Sequence, residues 1–345
     1  MDPVSQGVLG GALAGSGATT RTSLRPALLA GLVGGLLPDL DVLIRSEVDP
    51  LLSLEYHRQF THSLIFIPVG GLVATFLLWP ILRRRLSMRH LYGFATAGYA
   101  THALLDACTS YGTQLYWPFS DTRVAWNVIS VVDPLYTLPL LLCIVVTLVK
   151  RDRRIAIAGL TVSLLYLTLG AVQHGRAVTA AEQIIATRGH TAERLLVQPS
   201  FANLVVWKSV YEASGRYYVD ALRLGYEARL YSGESVRKLD VRRDLPWLRP
   251  ASRQANDLER FRWFSAGWLA PDERIPYAVG DIRYSLAPNQ VAPLWRVVFD
   301  PQQPEKHVEF DSTRDGATSA AGKLWDMIVG EATPQNSRTG THLRQ

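Results

Sequence analysis

The stretch ATHALLDACTSYG, residues 100–112, carries an imidazole, His102, and a carboxylate, Asp106, four positions apart. On a helix that interval stacks both side chains on one face, one turn apart, so a single rigid edge offers two ligands. Earlier segments add groups of the same kinds: LLPDLD contains Asp39 and Asp41, and YHRQFTHS contains His57 and His62. Imidazole with carboxylate suits zinc, manganese or iron, and oxygen-rich sets also admit magnesium. A divalent metal is therefore the expected cofactor, zinc first. Asp39, Asp41, His57, His62, His102 and Asp106 are its expected ligands. Paired ions clamp the attacking and leaving oxygens of a displacement at phosphorus and bring the pKa of a bound water toward neutrality. Arg58, beside His57, is the expected partner of a substrate phosphate. The cluster contains no thiolate, as suits a hydrolytic site more than a structural one. Cys108 and Cys143 lie far apart, in or beside apolar segments, and read as small buried hydrophobes.

Other polar residues have plainer readings. His90 lies in a basic loop as a packed or capping residue, and Asp133-Pro134 marks a helix start. Trp117 and Trp126 read as interfacial anchors. Asp39 and Asp41 could cap a helix end, although a carboxylate at a helix C-terminus opposes the macrodipole. Thr61 and Thr101, each preceding a histidine, could orient imidazoles from behind.

Elements that could hold such a cluster follow from hydropathy. The 345 residues are 48% hydrophobic, but the two halves differ. Residues 1–172 contain long apolar runs between short basic loops, whereas residues 173–345 carry six of the nine tryptophans. Five segments, 26–44, 63–82, 91–108, 133–149 and 155–172, approach the roughly 20 residues that cross a bilayer core of about 30 Å. Gly and Ala in the first and third favour close helix packing. Segment 4–18 is short and glycine-rich, a thin span or a half-inserted helix; the start MDPVSQ lacks the positive region of a signal peptide. RRRLSMRH (83–90), KRDRR (150–154), Arg21 and Arg25 concentrate positive charge in alternate loops, which assigns those loops to the cytoplasm. Loops 45–62 and 108–132, with the proposed ligands beside them, then face outward, as does everything after the fifth span. The net charge of +6 reflects this topology and not nucleic-acid binding.

Residues 173–195 have helical composition. The segment 202–224, with ASGR at its centre, carries a hairpin signature, and 293–301 with 305–311 reads as another strand pair. Trp247, Trp263 and Trp268 belong to a small folded domain that could guide substrate. Residues 331–345 read as a disordered tail.

The start MDPVSQGVLGGALA, then LLPDLDVL, HRQFTHSL and ATHALLDACTSYGTQLYWPF, resemble in order and spacing the YdjM-like family of bacterial inner-membrane metal-dependent hydrolases, over about residues 1–175. That resemblance implies a metal-binding core at His57, His62, His102 and Asp106, with Asp39 and Asp41 beside them. By a further, fold-level analogy the pattern is similar to helical zinc-dependent phospholipase C and nuclease enzymes. Two departures stand out. Gln6 occupies a position where some relatives have histidine, which bears on how many ions are held, and Gln59 replaces a frequent glycine.

The expected fold is a mainly α membrane protein: a multispan helical bundle with the metal site (1–172), a small extracytoplasmic α+β or β-rich domain (173–330), and the tail. The expected function is metal-dependent hydrolysis of an ester, most plausibly a phosphoester of a lipid or lipid-linked molecule, at the outer face of the inner membrane. The lipid bilayer and that substrate are the expected partners. The alternative is a metal- or proton-coupled transporter, which needs polar groups continuing through the bilayer; the second, fourth and fifth spans carry almost none.

Overall fold

The computed structural model describes residues 1–312, 314, 316–331 and 342–343. Two compact units divide the chain. The first contains Met1–Ile44, Tyr56–Val172 and Phe201–Asn203, and the second contains Arg45–Glu55, Gln173–Ser200 and Leu204 onward.

Helices run in order α1 (Pro3–Ser16), α2 (Arg21–Leu36), the short α3 (Leu52–Tyr56), α4 (Ile67–Leu82), α5 (Met88–Ala107), α6 (Pro134–Lys150) and α7 (Arg153–Thr187). Their starts are written in capping residues, which satisfy otherwise orphaned N–H groups. Asp2 accepts from Ser5 N, Thr20 and Ser23 form a capping box, and Asp133 accepts from Leu135 N ahead of Pro134. Asp133 is thus the helix start that its Asp-Pro pair predicts.

α1, α2 and α5 meet along small residues. A Cβ added to Gly31 would overlap the carbonyl of Gly10, one on Gly98 the carbonyl of Gly31, and one on Gly34 the carbonyl of Ala95. Backbones therefore touch where side chains would normally intervene, the arrangement that lets helices associate without a hydrophobic driving force. α1 runs antiparallel to α2, from Gly7 beside Leu36 to Gly15 beside Leu28. Segment 4–18 therefore packs as a helix of the bundle, 14 residues and about 21 Å long. Val8, Leu24, Leu28, Leu105, Tyr136, Leu140 and Ile144 form the buried core of this unit.

By length and apolarity three helical stretches could cross a membrane: Arg21–Leu43, Leu64–Leu82 and Arg153–Thr187. The other two expected spans are helices that fall short. α6 is apolar but has 17 residues, and α5 has 20 but spends several on Thr, Gly, His and Asp. In α5, His102 and Asp106 are buried against its neighbours, at 0% exposure.

The second unit holds ten short strands. β1 (Arg194–Pro199), β2 (Val206–Ala213), β3 (Arg216–Leu224) and β4 (Ala228–Tyr231) form an antiparallel sheet, with β5 (Ser235–Arg237) pairing to β3. After α8 (Val241–Asp244) and α9 (Arg253–Phe264) come β6 (Leu269–Pro271), β7 (Ala278–Asp281), β8 (Arg296–Val298) and β9 (Glu309–Asp311), an antiparallel meander. α10 (Ala317–Val329) and β10 (His342–Leu343), which pairs with β4, complete the described chain. The β2–β3 hairpin pairs Ala213 with Arg216 across Ser214 and Gly215, both in the left-handed region (φ 50° and 70°), as a two-residue turn requires. β8 and β9 are the second expected pair, in register Val297 to Phe310. The expected helix over 173–195 stops at Thr187: Gly189 turns left-handed and His190 N returns to Ile185 O, a glycine-dependent stop, and Arg194 and Leu195 already belong to β1. Val210, Tyr217, Val219, Trp268 and Ile282 form a buried core. Most of the expected tail, 331–345, lies outside the described residues.

Candidate metal centre

Pro38 ends α2, and the chain tightens into a 3-10 turn, Leu37–Leu43, that displays Asp39 and Asp41. The last turns of α5 display His102 and Asp106. Between them the loop before α4 turns sharply at Arg58 (φ 65°) and enters a second 3-10 turn, Phe60–His62. Backbone hydrogen bonds fix that loop: Gln114 N donates to Arg58 O and Leu64 N to Leu115 O.

All six expected ligands come together. Ligand atoms of Asp39, His62, His102 and Asp106 lie within 4.8 Å of one another, and those of Asp39, Asp41 and His57 form a second such set sharing Asp39. The two buried imidazoles point their Nε2 atoms at each other, 2.9 Å apart. Partners decide their protonation. His102 Nδ1 lies 2.6 Å from Gly35 O; a carbonyl only accepts, so Nδ1 carries the proton and Nε2 a bare lone pair. His62 Nδ1 faces the Asp41 carboxylate at 3.2 Å and Thr61 Oγ1 at 3.0 Å, and Thr61 Oγ1 itself donates to Asp41 at 2.8 Å, so His62 Nδ1 carries a proton too. The two Nε2 atoms converge with carboxylate oxygens: Asp39 Oδ1 stands 3.6 and 3.4 Å from them, and Asp106 Oδ2 3.3 and 3.7 Å. Asp106 Oδ2 is buried, with Arg58 Nε 3.0 Å away. Two imidazole nitrogens and two carboxylate oxygens at this spacing are a donor set that fits a divalent metal. His62, His102 and Asp106 form the closed side of the cluster, whereas the side chains of Asp39 and His57 are 20% and 22% exposed and form its accessible side.

Asp41 is placed differently from the others. One oxygen takes His57 Nδ1 at 2.7 Å; the other takes Arg58 N at 3.0 Å, Thr61 Oγ1 and His62 Nδ1. It orients two imidazoles from behind, the arrangement that fixes tautomer and ring direction in metal sites. Thr61 shares that task and is itself held by Tyr99, whose hydroxyl donates to Thr61 O at 2.6 Å. Thr101 does not: its hydroxyl bonds back to Gly98 O within α5.

Arg58 is buried, not turned to solvent. Its Nε lies 3.0 Å from Asp106 Oδ2, Nη1 donates to Thr109 Oγ1 at 3.1 Å, and the guanidinium lies over the Tyr111 ring at 4.7 Å. The other oxygen of Asp106 accepts from Gln6 Nε2 at 2.8 Å and from the amino group of Met1. Gln6, marked in the sequence only as a departure, therefore belongs to the cluster's wall. Its Oε1 is buried without a hydrogen bond. The signal for this was the spacing of Gly7, Gly10, Gly11 and Gly15, which demands close helix packing and carries Gln6 inward with α1.

A family model described as YdjM inner membrane protein matches residues 1–177. Inner membrane protein YbcI of Escherichia coli (strain K12) is 37% identical over 102 residues, 28% of this chain and 57% of the relative. Uncharacterized protein YfhP of Bacillus subtilis (strain 168) is 27% identical over 101 residues, 29% of this chain and 30% of the relative. The chain thus spans a little over half the length of one curated relative and under a third of the other. No solved structure matches. With helices suited to a membrane, a buried His/Asp cluster and a match over just more than half its length, the chain belongs to the YdjM inner membrane protein family.

Proposed function

We propose that the protein is a membrane-bound metal-dependent hydrolase acting on a phosphoester of a lipid or lipid-linked molecule. The observation that carries this reading is the convergence of two imidazole Nε2 atoms, 2.9 Å apart, with the carboxylate oxygens of Asp39 and Asp106, all within 4.8 Å of one another. A bound divalent ion, zinc first, supplies Lewis acidity at a phosphoryl or carbonyl oxygen and brings a water's pKa toward neutrality. His62, His102, Asp106 and Asp39 hold the ion. Asp41 fixes the tautomers of His57 and His62. Arg58 balances the charge of Asp106, which keeps that buried carboxylate ionised and available as a ligand. Substrate approaches past Asp39 and His57, where the His57 ring, held at Nδ1 by Asp41, can move a proton at Nε2.

Orientation follows from charge placement. Arg21 at the start of α2, Arg83–Arg85 after α4 and Lys150–Arg154 after α6 each lie at the helix end opposite the cluster, and Arg25 reaches Leu148 O at that same end. Basic ends are cytoplasmic, so the cluster and the second unit are extracytoplasmic. A transport role is disfavoured because α4 and α6 offer few polar side chains at their centres, and Thr75 bonds to Gly71 O and Thr147 to Cys143 O, each within its own helix.

The test is a screen of purified, zinc-loaded protein against phosphomonoesters, phosphodiesters and carboxylic esters, with His102→Ala and a chelated sample in parallel. Turnover of one phosphoester, lost in both controls, is expected. Turnover that survives His102→Ala, or none with fully loaded protein, rejects the reading.

A further inference from the structure

The second unit contains an open cavity of about 780 Å³, within the size range of small-molecule sites. Five cationic side chains line it, Arg216, Arg237, Arg274, Arg296 and Lys323, against three carboxylates, Glu234, Asp272 and Glu273. Cationic side chains outnumber carboxylates in the lining itself. Asp272 is shared by Arg274 at 2.7 Å and Arg296 at 2.6 Å, and Arg296 also meets Asp311 at 3.0 Å. Glu234 accepts from Val291 N. Arg216 rests on the carbonyl and hydroxyl of Ser235, which bring no opposing charge, and Arg237 is 3.9 Å from its nearest carboxylate, Asp244. Gly316, Ser319 and Ala320 bring the start of α10 to the same cavity. Among the described residues that helix has no side-chain cap and no acidic residue in its first turn, so its N–H groups add partial positive charge there. The wall beneath is apolar, with Val236 and Ile282 buried and Leu286 and Val291 beside them.

We infer that this cavity binds an amphipathic anion, a phosphate or carboxylate carried on an apolar group. Arg216, Arg237, Lys323 and the start of α10 hold the charged end, and Val236, Ile282 and Leu286 hold the apolar end. The inference stands apart from the metal cluster and does not depend on it.

Calorimetric titration of the full-length protein in phosphatidylcholine nanodiscs tests it, with hexyl phosphate as the probe and inorganic phosphate and hexanol as comparisons. Hexyl phosphate is expected to bind at least roughly tenfold more tightly than inorganic phosphate, since buried methylenes add affinity. Arg216→Gln with Lys323→Gln, both at the rim, should weaken it by about tenfold or more with an unchanged melting temperature. Adding phosphatidic acid to the nanodiscs distinguishes the source: competition assigns a membrane lipid and its absence a soluble molecule, and either result keeps the chemistry. Undetectable binding at millimolar hexyl phosphate, equal binding of inorganic phosphate or hexanol, or undiminished binding by the double variant overturns it.

Discussion

Asp39, Asp41 and Asp106 in the helical unit, and Asp49, Glu55 and Asp257 in the second, are two carboxylate triples with opposite surroundings. Arg260 meets all three of the latter, with Nη2 2.8 Å from Asp49, Nη1 2.9 Å from Asp257 and Nε 2.5 Å from Glu55. His307 Nδ1 adds a contact of 2.9 Å to Asp257. Donors and acceptors balance there, and the result is a clasp that ties segment 45–55 to α9. In the helical unit the imidazoles turn Nδ1 to Gly35 O and to Asp41 with Thr61, so both Nε2 atoms turn toward the carboxylates of Asp39 and Asp106. Carboxylates alone do not mark a cation site; carboxylates joined by imidazole nitrogens within one coordination sphere do.

Four changes would break or sharpen that contrast. The largest effect is expected for Asp106→Ala, which removes a ligand and strands Arg58: zinc affinity, measured by competition with a chelator, should fall by at least about 100-fold, more than loss of an orienting partner costs. Asp41→Asn should cost roughly 10- to 100-fold in the same assay, because it acts through His57 and His62. If Asp41→Asn instead equals Asp106→Ala, Asp41 is itself a ligand. Arg260→Ala should leave zinc affinity unchanged and destabilise the second unit by about 1–3 kcal/mol, below the cost of breaking a fully buried pair because a fifth of the side chain is exposed; denaturant titration followed by tryptophan fluorescence reads it. The fourth change concerns Lys208, which lies inside the second unit's sheet and donates to Ser285 Oγ at 2.5 Å and Gln290 O at 3.0 Å. Burial pushes its pKa down from 10.5 to about 7. Between those values the unfolded chain keeps a proton that the folded chain has shed, so stability should rise with pH across that window, by on the order of 1 kcal/mol per pH unit. Lys208→Met should flatten that slope; an unchanged slope would show that Lys208 does not cause it.

The sequence made the cluster legible because its chemistry lies in periodic and local signals. The i, i+4 pair His102 and Asp106, Asp39 and Asp41 in LLPDLD, and the Asp133-Pro134 helix start each act within a few residues. What escaped depends on tertiary contacts. Nothing near Arg58 in the chain says that its guanidinium turns inward to Asp106, and nothing near Gln6 names the same partner about 100 residues away. Segment 45–55 reads as a connecting loop, yet it belongs to the second unit through Arg260, more than 200 residues later.

X-ray absorption at the zinc edge of metal-loaded protein tests the central claim most directly. Two imidazole nitrogens with carboxylate oxygens at about 2.0–2.2 Å, reduced to one imidazole in His102→Ala, are expected. A first shell without imidazole, or one containing the Cys108 sulfur, would contradict it.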